Sequence, residues 1–237
     1  MEKVIYLLWR DPRVTTEKWS SQLRGKLADR LLELGVQGIQ VNIADEAVQA
    51  AAPLLQCATK PQMEAFVQVW LPSAVDDLRQ AIDDAIESTA WRVAAYLVTE
   101  SQPIVNSRYV TPPGQRTPGF AQMAILRCPP RLSRGAWLDL WQNAHTKVAV
   151  DTQDNFQYTQ NLVVRSLRYD CPSYDAIVEE CFESEAMTNP HAFYGTGGDK
   201  DKLKQHYHLM MESCDRFIDR DKIDVVPTSQ YVIASVN

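Results

Sequence analysis

One histidine lies at the end of an aromatic stripe in the second half of the chain. Trp137, Trp141 and His145 are spaced four residues apart, so they share one face of a helix. That face points toward the sheet, and burial beside aromatic rings lowers the pKa of an imidazole and keeps it neutral near pH 7. His145 is therefore a candidate catalytic base. In the alternative interpretation, the ring only hydrogen-bonds a backbone carbonyl at the helix end.

Glu179 lies in a predicted strand, where it could complement the histidine. In the matching strand of the first half, the odd-numbered positions 67–71 are apolar and are expected to face the helices. Gln68 and, by analogy, Glu179 then face away from the helices. A carboxylate buried there is costly unless it is paired, so we predict that Glu179 pairs with His145 and orients it for proton transfer. Alternatively, Glu179 only hydrogen-bonds inside the protein.

Further aromatic and polar side chains are candidates for substrate binding. Tyr158 and Asn161 lie on a predicted strand and could donate hydrogen bonds to a ligand oxygen. Trp141 belongs to the aromatic stripe, and His191 and Tyr194 lie in a segment that is expected to border the mouth of a cavity. In the alternative, the strand side chains only bind neighbouring strands, and His191 is solvated.

Other motifs and the composition exclude several classes of function. His206 and His208 are two residues apart and cannot share a helix face, and no dinucleotide or phosphate loop is found, so we expect neither a metal nor a cofactor. A net charge of −6 over 237 residues argues against nucleic acid and membrane partners. Five cysteines without CxxC spacing indicate a reducing compartment, and with no signal peptide visible we expect a cytoplasmic protein.

The second half of the chain repeats the pattern of the first. Residues 65–73 align without gaps on residues 176–184, and Trp19 aligns with Trp137. Such a duplication predicts two similar units. We place their boundaries at an N-terminal domain of residues 1–104, a proline-rich linker of residues 105–118 and a C-terminal domain of residues 119–237.

Hydrophobic periodicity and turn residues predict the order β-α-β-β-α-β in each half. In the first half, for example, a strand at residues 4–9 is followed by a helix capped at Thr15 or Thr16 and ended by Gly35. This order is the ferredoxin-like motif, in which helices cover one face of an antiparallel sheet. Because the other face also needs cover, we predict an α+β fold with two sheets face to face as a barrel whose interior holds a ligand.

Residues of the second half resemble the EthD domain. The resemblance rests on the helix that ends at His145 and on segments 158–161 and 174–182, and it extends over residues 120–233 and, less closely, residues 4–104. It implies a tandem member of the dimeric α/β-barrel superfamily, in which paired ferredoxin-like units form a barrel and the histidine lies beside the cavity. Related barrel proteins include cofactor-free monooxygenases, polyketide cyclases, isomerases and haem enzymes.

The alignment of the halves places any active pocket in the second half, because Leu27 takes the place of His145 in the first. We expect the cavity to bind a small apolar or aromatic catabolic intermediate. Cofactor-independent acid/base chemistry of the lyase, isomerase, cyclase or oxygenase type would then centre on His145 and Glu179. A non-catalytic ligand-binding or accessory protein of a degradation pathway is the alternative, haem binding through His145 is a third, and a homodimer is possible.

Overall fold

The computed structural model describes residues 1–236, which form two similar units. The first unit comprises β1 (Glu2–Trp9), α1 (Thr16–Gln22), α2 (Ala28–Glu33), β2 (Gly38–Ile43), β3 (Ala65–Leu71), α3 (Asp76–Glu87) and β4 (Arg92–Ile104). The second comprises β5 (Phe120–Leu126), α4 (Arg134–Leu138), α5 (Thr146–Thr152), β6 (Asn155–Ser166), β7 (Ala176–Phe182), α6 (Pro190–Phe193), α7 (Lys200–Asp215) and β8 (Asp224–Ala234). The β-α-β-β-α-β order predicted for each half is confirmed.

All eight strands form one closed antiparallel barrel. The first unit contributes the order β4-β1-β3-β2 and the second β8-β5-β7-β6, and the pairs β2–β8 and β4–β6 join the two units. The predicted fold class, α+β with two ferredoxin-like units in one barrel, is confirmed. The units meet through hydrogen-bonded edges, so each of the eight strands described has a partner on both sides.

Side chains fill the interior of this barrel. An apolar cluster receives residues from seven of the strands, among them Ile5, Leu7, Trp9, Phe66, Tyr96, Met123, Ile125, Val163, Ile177 and Val226. Next to it lies a polar layer around Glu179. An eight-stranded barrel is just wide enough for its own side chains to fill it. The expectation of a ligand cavity inside the barrel was therefore wrong.

A π-helical turn interrupts the first helix of both units. It comprises Leu23–Leu27 in the first unit and Asp139–His145 in the second. Trp19 and Trp137 precede these turns. The indole N–H of Trp19 donates to a backbone carbonyl just after α3 at 2.6 Å, and that of Trp137 donates to one just after α7 at 3.1 Å. The aligned residues Leu27 and His145 thus end equivalent turns, and π-helical turns occur frequently at functional sites.

The units differ in the connection that follows their third strand. In the first unit only residues 72–75 separate β3 from α3, whereas in the second unit residues 183–199 separate β7 from α7. The long connection contains a 3-10 helix (Ser184–Met187) and α6. It makes room between the sheet and α7 that the first unit does not have.

Among residues 1–236, every helix is too short or too polar to span a lipid bilayer.

We predict that Gly119→Ala destabilises the barrel far more than Gly197→Ala. Both glycines have positive φ, +86° and +57°, but a Cβ at Gly119 would lie 1.9 Å from the carbonyl oxygen of Phe182, whereas one at Gly197 meets open space. The left-handed backbone alone costs an alanine about 1 kcal/mol. We expect Gly119→Ala to lose at least about 2 kcal/mol more of unfolding free energy, measured by urea denaturation. Equal losses would contradict the close approach.

Candidate functional site

A cavity of about 810 Å³ lies between the sheet and the helices of the second unit. Its floor is the outer, helix-facing surface of β5, β6, β7 and β8, and its roof is the π-helical turn together with α7. The lining is largely apolar and aromatic and includes Trp141, Phe193, Tyr194, Tyr207, Met210, Met211, Cys214 and Phe217. A pocket of this size, apolar with a few polar groups, is typical of a small-molecule site.

Three polar side chains form a row across the floor. Glu180 on β7 is directly opposite Gln122 on β5 and Tyr158 on β6. Residues paired in this way on one face have Cβ atoms about 5 Å apart, and all three line the cavity. The Tyr158 hydroxyl accepts a hydrogen bond from Gln160 at 2.8 Å, and burial holds the pKa of this phenol well above its usual value. The floor therefore offers a carboxyl group flanked by an amide and a protonated phenol.

Glu180 is buried, and among residues 1–236 it has a single hydrogen-bond donor. Asn155 donates to its Oε1 at 3.2 Å. Burial raises the pKa of Glu180 to about 7, against the smaller opposing effect of that hydrogen bond. The carboxyl group is therefore present in both protonation states near neutral pH, which suits a group that accepts and returns a proton.

His145 lies in the roof of the same cavity. Its Nδ1 is 2.9 Å from the hydroxyl of Ser213 on α7, and its ring packs against Phe217 with centroids 4.7 Å apart. Burial lowers the pKa of His145 to about 4, so the imidazole is neutral at pH 7. Ser213 holds the ring through Nδ1, and among residues 1–236 Nε2 makes no hydrogen bond.

The lining of the cavity includes residues from both units. Pro190 and Phe193 come from the long β7–α7 connection. Pro53, Leu54 and Gln56 come from the first unit. Gln56 exchanges two backbone hydrogen bonds with β8, at 3.0 and 2.9 Å, which fixes this segment to the second unit. The first unit therefore contributes to the pocket although it lacks the histidine.

Glu179 faces the barrel interior, as predicted, but it does not meet His145. Four side-chain amides donate to its carboxylate at 2.8–3.0 Å: Gln40, Asn42, Gln68 and Gln230. His145 lies on the opposite side of the sheet. The predicted pair is therefore wrong, because neighbouring residues of a strand point to opposite faces. The alternative interpretation, in which Glu179 only hydrogen-bonds inside the protein, agrees with these contacts.

The remaining predicted residues divide between the cavity and other places. Trp141, Tyr158 and Tyr194 line it. Asn161 faces the barrel interior, where its amide donates to the carbonyl of Ile177 at 3.0 Å. His191 does not line the cavity, and its Nδ1 is 2.6 Å from the hydroxyl of Thr196. The structure therefore gives neither Asn161 nor His191 a contact with a ligand in this cavity.

The equivalent space in the first unit is filled. Leu27 packs there in an apolar cluster with Leu23, Leu31, Ile82 and Ile86. A groove of about 520 Å³ on the surface of these helices carries exposed charged side chains such as Lys26, Arg30 and Asp84. This groove offers no buried titratable group, so the candidate site belongs to the second unit.

Sequence reasoning missed Glu180, Gln122 and Ser213. A signal for Glu180 was present, since the strand alternation that directs Glu179 inward directs Glu180 toward the helix that carries His145. Gln122 could have been found from the same alternation on β5. Ser213 carried no signal, because its contact with His145 joins residues 68 positions apart on two helices.

We predict that Glu179→Leu destabilises the fold. The substitution removes the acceptor of four buried amides, and each buried group left without a partner costs about 1–3 kcal/mol. We expect a loss of at least about 3 kcal/mol in the free energy of unfolding, measured by urea denaturation. Glu212→Leu, on the exposed face of α7, is the control. Equal effects of both substitutions would contradict a structural role for the amide network.

We predict that Glu180→Gln stabilises the protein at pH 8. Between pH 4.5 and 7 the folded protein keeps a proton on Glu180 that the unfolded chain has lost, so stability falls as the pH rises through this window. Each pKa unit corresponds to about 1.4 kcal/mol, so the raised pKa of Glu180 lowers the free energy of unfolding by about 3 kcal/mol above pH 7. Thermal melts should show the gain at pH 8 and none near pH 4.5. A gain independent of pH would exclude this titration.

Comparison with known proteins agrees with this architecture. The whole chain superimposes on an anthrone oxidase-like protein with a TM-score of 0.54 and 8% sequence identity, covering 100% of this chain and 94% of that one. A chlorite dismutase variant from Candidatus Nitrospira defluvii gives a TM-score of 0.46 and 9% identity, covering 97% and 90%. The likeness to the anthrone oxidase-like protein, at 8% identity, shows the fold alone. No curated protein sequence matches the chain.

A family comparison identifies part of the second unit. Residues 129–221 match the EthD domain. This range includes the π-helical turn with His145, the strand with Glu180 and the helix with Ser213. Residues 129–221 are thus similar to the EthD domain, as the resemblance of the second half implied, and the whole chain shares the fold of the anthrone oxidase-like protein.

Proposed function

We propose that the cavity of the second unit binds a small, largely apolar organic molecule and transfers a proton on it without a cofactor. One observation carries this proposal: two buried titratable groups, Glu180 with a pKa of about 7 and His145 with a pKa of about 4, line the same apolar cavity. Groups whose environments separate their pKa values can take different roles in acid/base chemistry at one pH.

Glu180 takes the role that the sequence assigned to His145. A group that titrates near pH 7 is an effective proton carrier at neutral pH. His145 stays neutral, and a hydroxyl proton donated by Ser213 to Nδ1 leaves the ring proton on Nε2. The Nε2–H group then donates a hydrogen bond to a ligand oxygen on which negative charge develops. Tyr158, beside Glu180 on the floor, is a second hydrogen-bonding group.

The reaction class that fits these groups is enolisation. The Glu180 carboxylate takes a proton from a carbon that is next to a carbonyl group or, as in anthrone, conjugated with it through aromatic carbons. The C–H electron pair enters the π system of the enolate. The carbonyl oxygen gains the negative charge beside His145. Return of the proton to oxygen or to another carbon regenerates the carboxylate. The aromatic lining favours an aromatic ketone, and the name of the anthrone oxidase-like protein makes anthrone a suitable test molecule.

A second candidate is a binding protein without turnover. It is favoured by the surroundings of His145, whose one side-chain hydrogen bond among residues 1–236 is to Ser213 rather than to a carboxylate. A carrier would use the same cavity and the same aromatic lining. The two candidates differ only in whether a proton moves, so an exchange measurement separates them.

We predict that the protein accelerates hydrogen–deuterium exchange at the methylene carbon of anthrone. The measurement is proton NMR in deuterated buffer near neutral pH, under nitrogen so that the ketone is not oxidised. Removal of a general base costs about 10²–10⁴-fold, so we expect Glu180→Gln to lose at least about 100-fold. His145→Ala should lose a smaller factor because it removes a hydrogen bond to the enolate oxygen.

The controls test whether any loss is chemical. His208→Ala alters an exposed histidine on α7 outside the cavity and should exchange at the wild-type rate. Glu180→Gln is expected to be more stable than wild type at pH 8, so its loss of exchange cannot come from unfolding. Binding of anthrone without acceleration would establish the carrier and exclude the enzyme. An unchanged rate in Glu180→Gln would exclude Glu180 as the base.

A further inference from the structure

The polar end of the cavity is rich in acceptors that lack a donor. A carboxylate has about four acceptor positions, and Glu180 receives one hydrogen bond, from Asn155. Gln153 also lines the cavity, and its Oε1 is buried without a partner. Buried polar groups are normally hydrogen-bonded. Glu180 and Gln153 can therefore each accept a further hydrogen bond from a ligand.

The orientation of Asn155 adds a third acceptor. Its Nδ2 donates to Glu180, so the reverse orientation would place Oδ1 against a carboxylate oxygen. The amide is therefore fixed by its neighbour, and its Oδ1 is buried without a partner. Gln153 and Asn155 are two residues apart, where α5 ends and β6 begins. Gln153 lines the cavity together with Glu180, whereas Asn155 lies behind Glu180, outside the lining.

Among residues 1–236, the lining of the cavity offers no free positive charge that could compensate an anionic ligand. The cavity-lining cation among residues 1–236 is Arg220, and it is half-exposed. Its Nε is 2.6 Å from Oδ1 of Asp215, and its Nη2 donates to the carbonyl of Met211 at 3.4 Å. A second negative charge near Glu180 would be repelled strongly in this apolar surrounding, where charges are poorly screened.

We infer that the site selects aromatic hydroxyl compounds, phenols or enols, whose O–H donates to Glu180, and rejects aromatic carboxylates. This inference rests on the proposed function, because it requires that the cavity bind a small molecule. It goes beyond that proposal by naming the group through which the ligand is recognised. The hydroxyl supplies the donor that the acceptors lack, and the aromatic ring occupies the apolar part between Trp141 and Phe217.

Three naphthalene probes of nearly equal size test the inference. 2-Naphthol carries a donor, 2-methoxynaphthalene has the same oxygen without a donor, and 2-naphthoate carries a negative charge. We expect 2-naphthol to bind wild-type protein at least 10-fold more tightly than 2-methoxynaphthalene at pH 7.5, measured by calorimetric titration. We expect 2-naphthoate to bind at least 10-fold more weakly than 2-naphthol at pH 8.5, where the Glu180 carboxyl group is ionised.

Two variants of Glu180 separate the effect of the acceptor from that of the charge. Glu180→Leu removes both, and the preference for 2-naphthol over its methyl ether should fall below 3-fold. A steric effect of the methyl group would persist in this variant and would overturn the assignment. Glu180→Gln keeps an acceptor oxygen but removes the charge, so 2-naphthoate should gain at least 10-fold in affinity. Glu212→Gln, on the exposed face of α7, should change no ratio.

The outcomes distinguish this inference from the proposed function. If no probe binds wild-type protein, the proposed binding function fails, and the inference fails with it. If 2-naphthol and 2-methoxynaphthalene bind equally, or 2-naphthoate binds most tightly, the cavity is a binding site but the inference is wrong. Preference for 2-naphthol that disappears in Glu180→Leu confirms recognition through Glu180.

Discussion

The closure of the barrel is the constraint on which the rest of the structure depends. Each ferredoxin-like unit has two edge strands, and the pairs β2–β8 and β4–β6 satisfy all four of them. The side chains of this barrel occupy its interior, so the space for a ligand lies outside it. That space opens between the sheet and the helices of the second unit, where the connection between β7 and α7 is long enough to hold them apart.

Two consecutive glutamates show how strongly position on a strand decides chemistry. Glu179 points into the closed barrel, where four amides satisfy its carboxylate. Glu180 points to the helices, where it has one amide partner and an apolar cavity, and burial raises its pKa to about 7. The same side chain is thus a structural acceptor on one face of the sheet and a candidate proton carrier on the other.

Comparison of the two units distinguishes the features that both of them share from the features that only the cavity-bearing second unit has. Each unit has a buried tryptophan, Trp19 or Trp137, whose indole is hydrogen-bonded. Each also has a π-helical turn, which ends at Leu27 in the first unit and at His145 in the second. The first unit fills its helix–sheet interface with leucine and isoleucine. Its contribution to the cavity is a lining segment that includes Leu54 and Gln56, and Gln56 exchanges backbone hydrogen bonds with β8.

The sequence by itself determined the order of elements, the two-unit barrel, the position of His145 on a helix face and the inward direction of Glu179. These features follow from local periodicity and from the comparison of two aligned halves, both of which a linear sequence contains. Only the tertiary structure decided that the interior is full, that Glu180 rather than Glu179 lies in the cavity with His145, and that Ser213 holds the imidazole. Those facts depend on barrel diameter and on which elements meet in space, and contacts between residues far apart in the chain leave no local pattern.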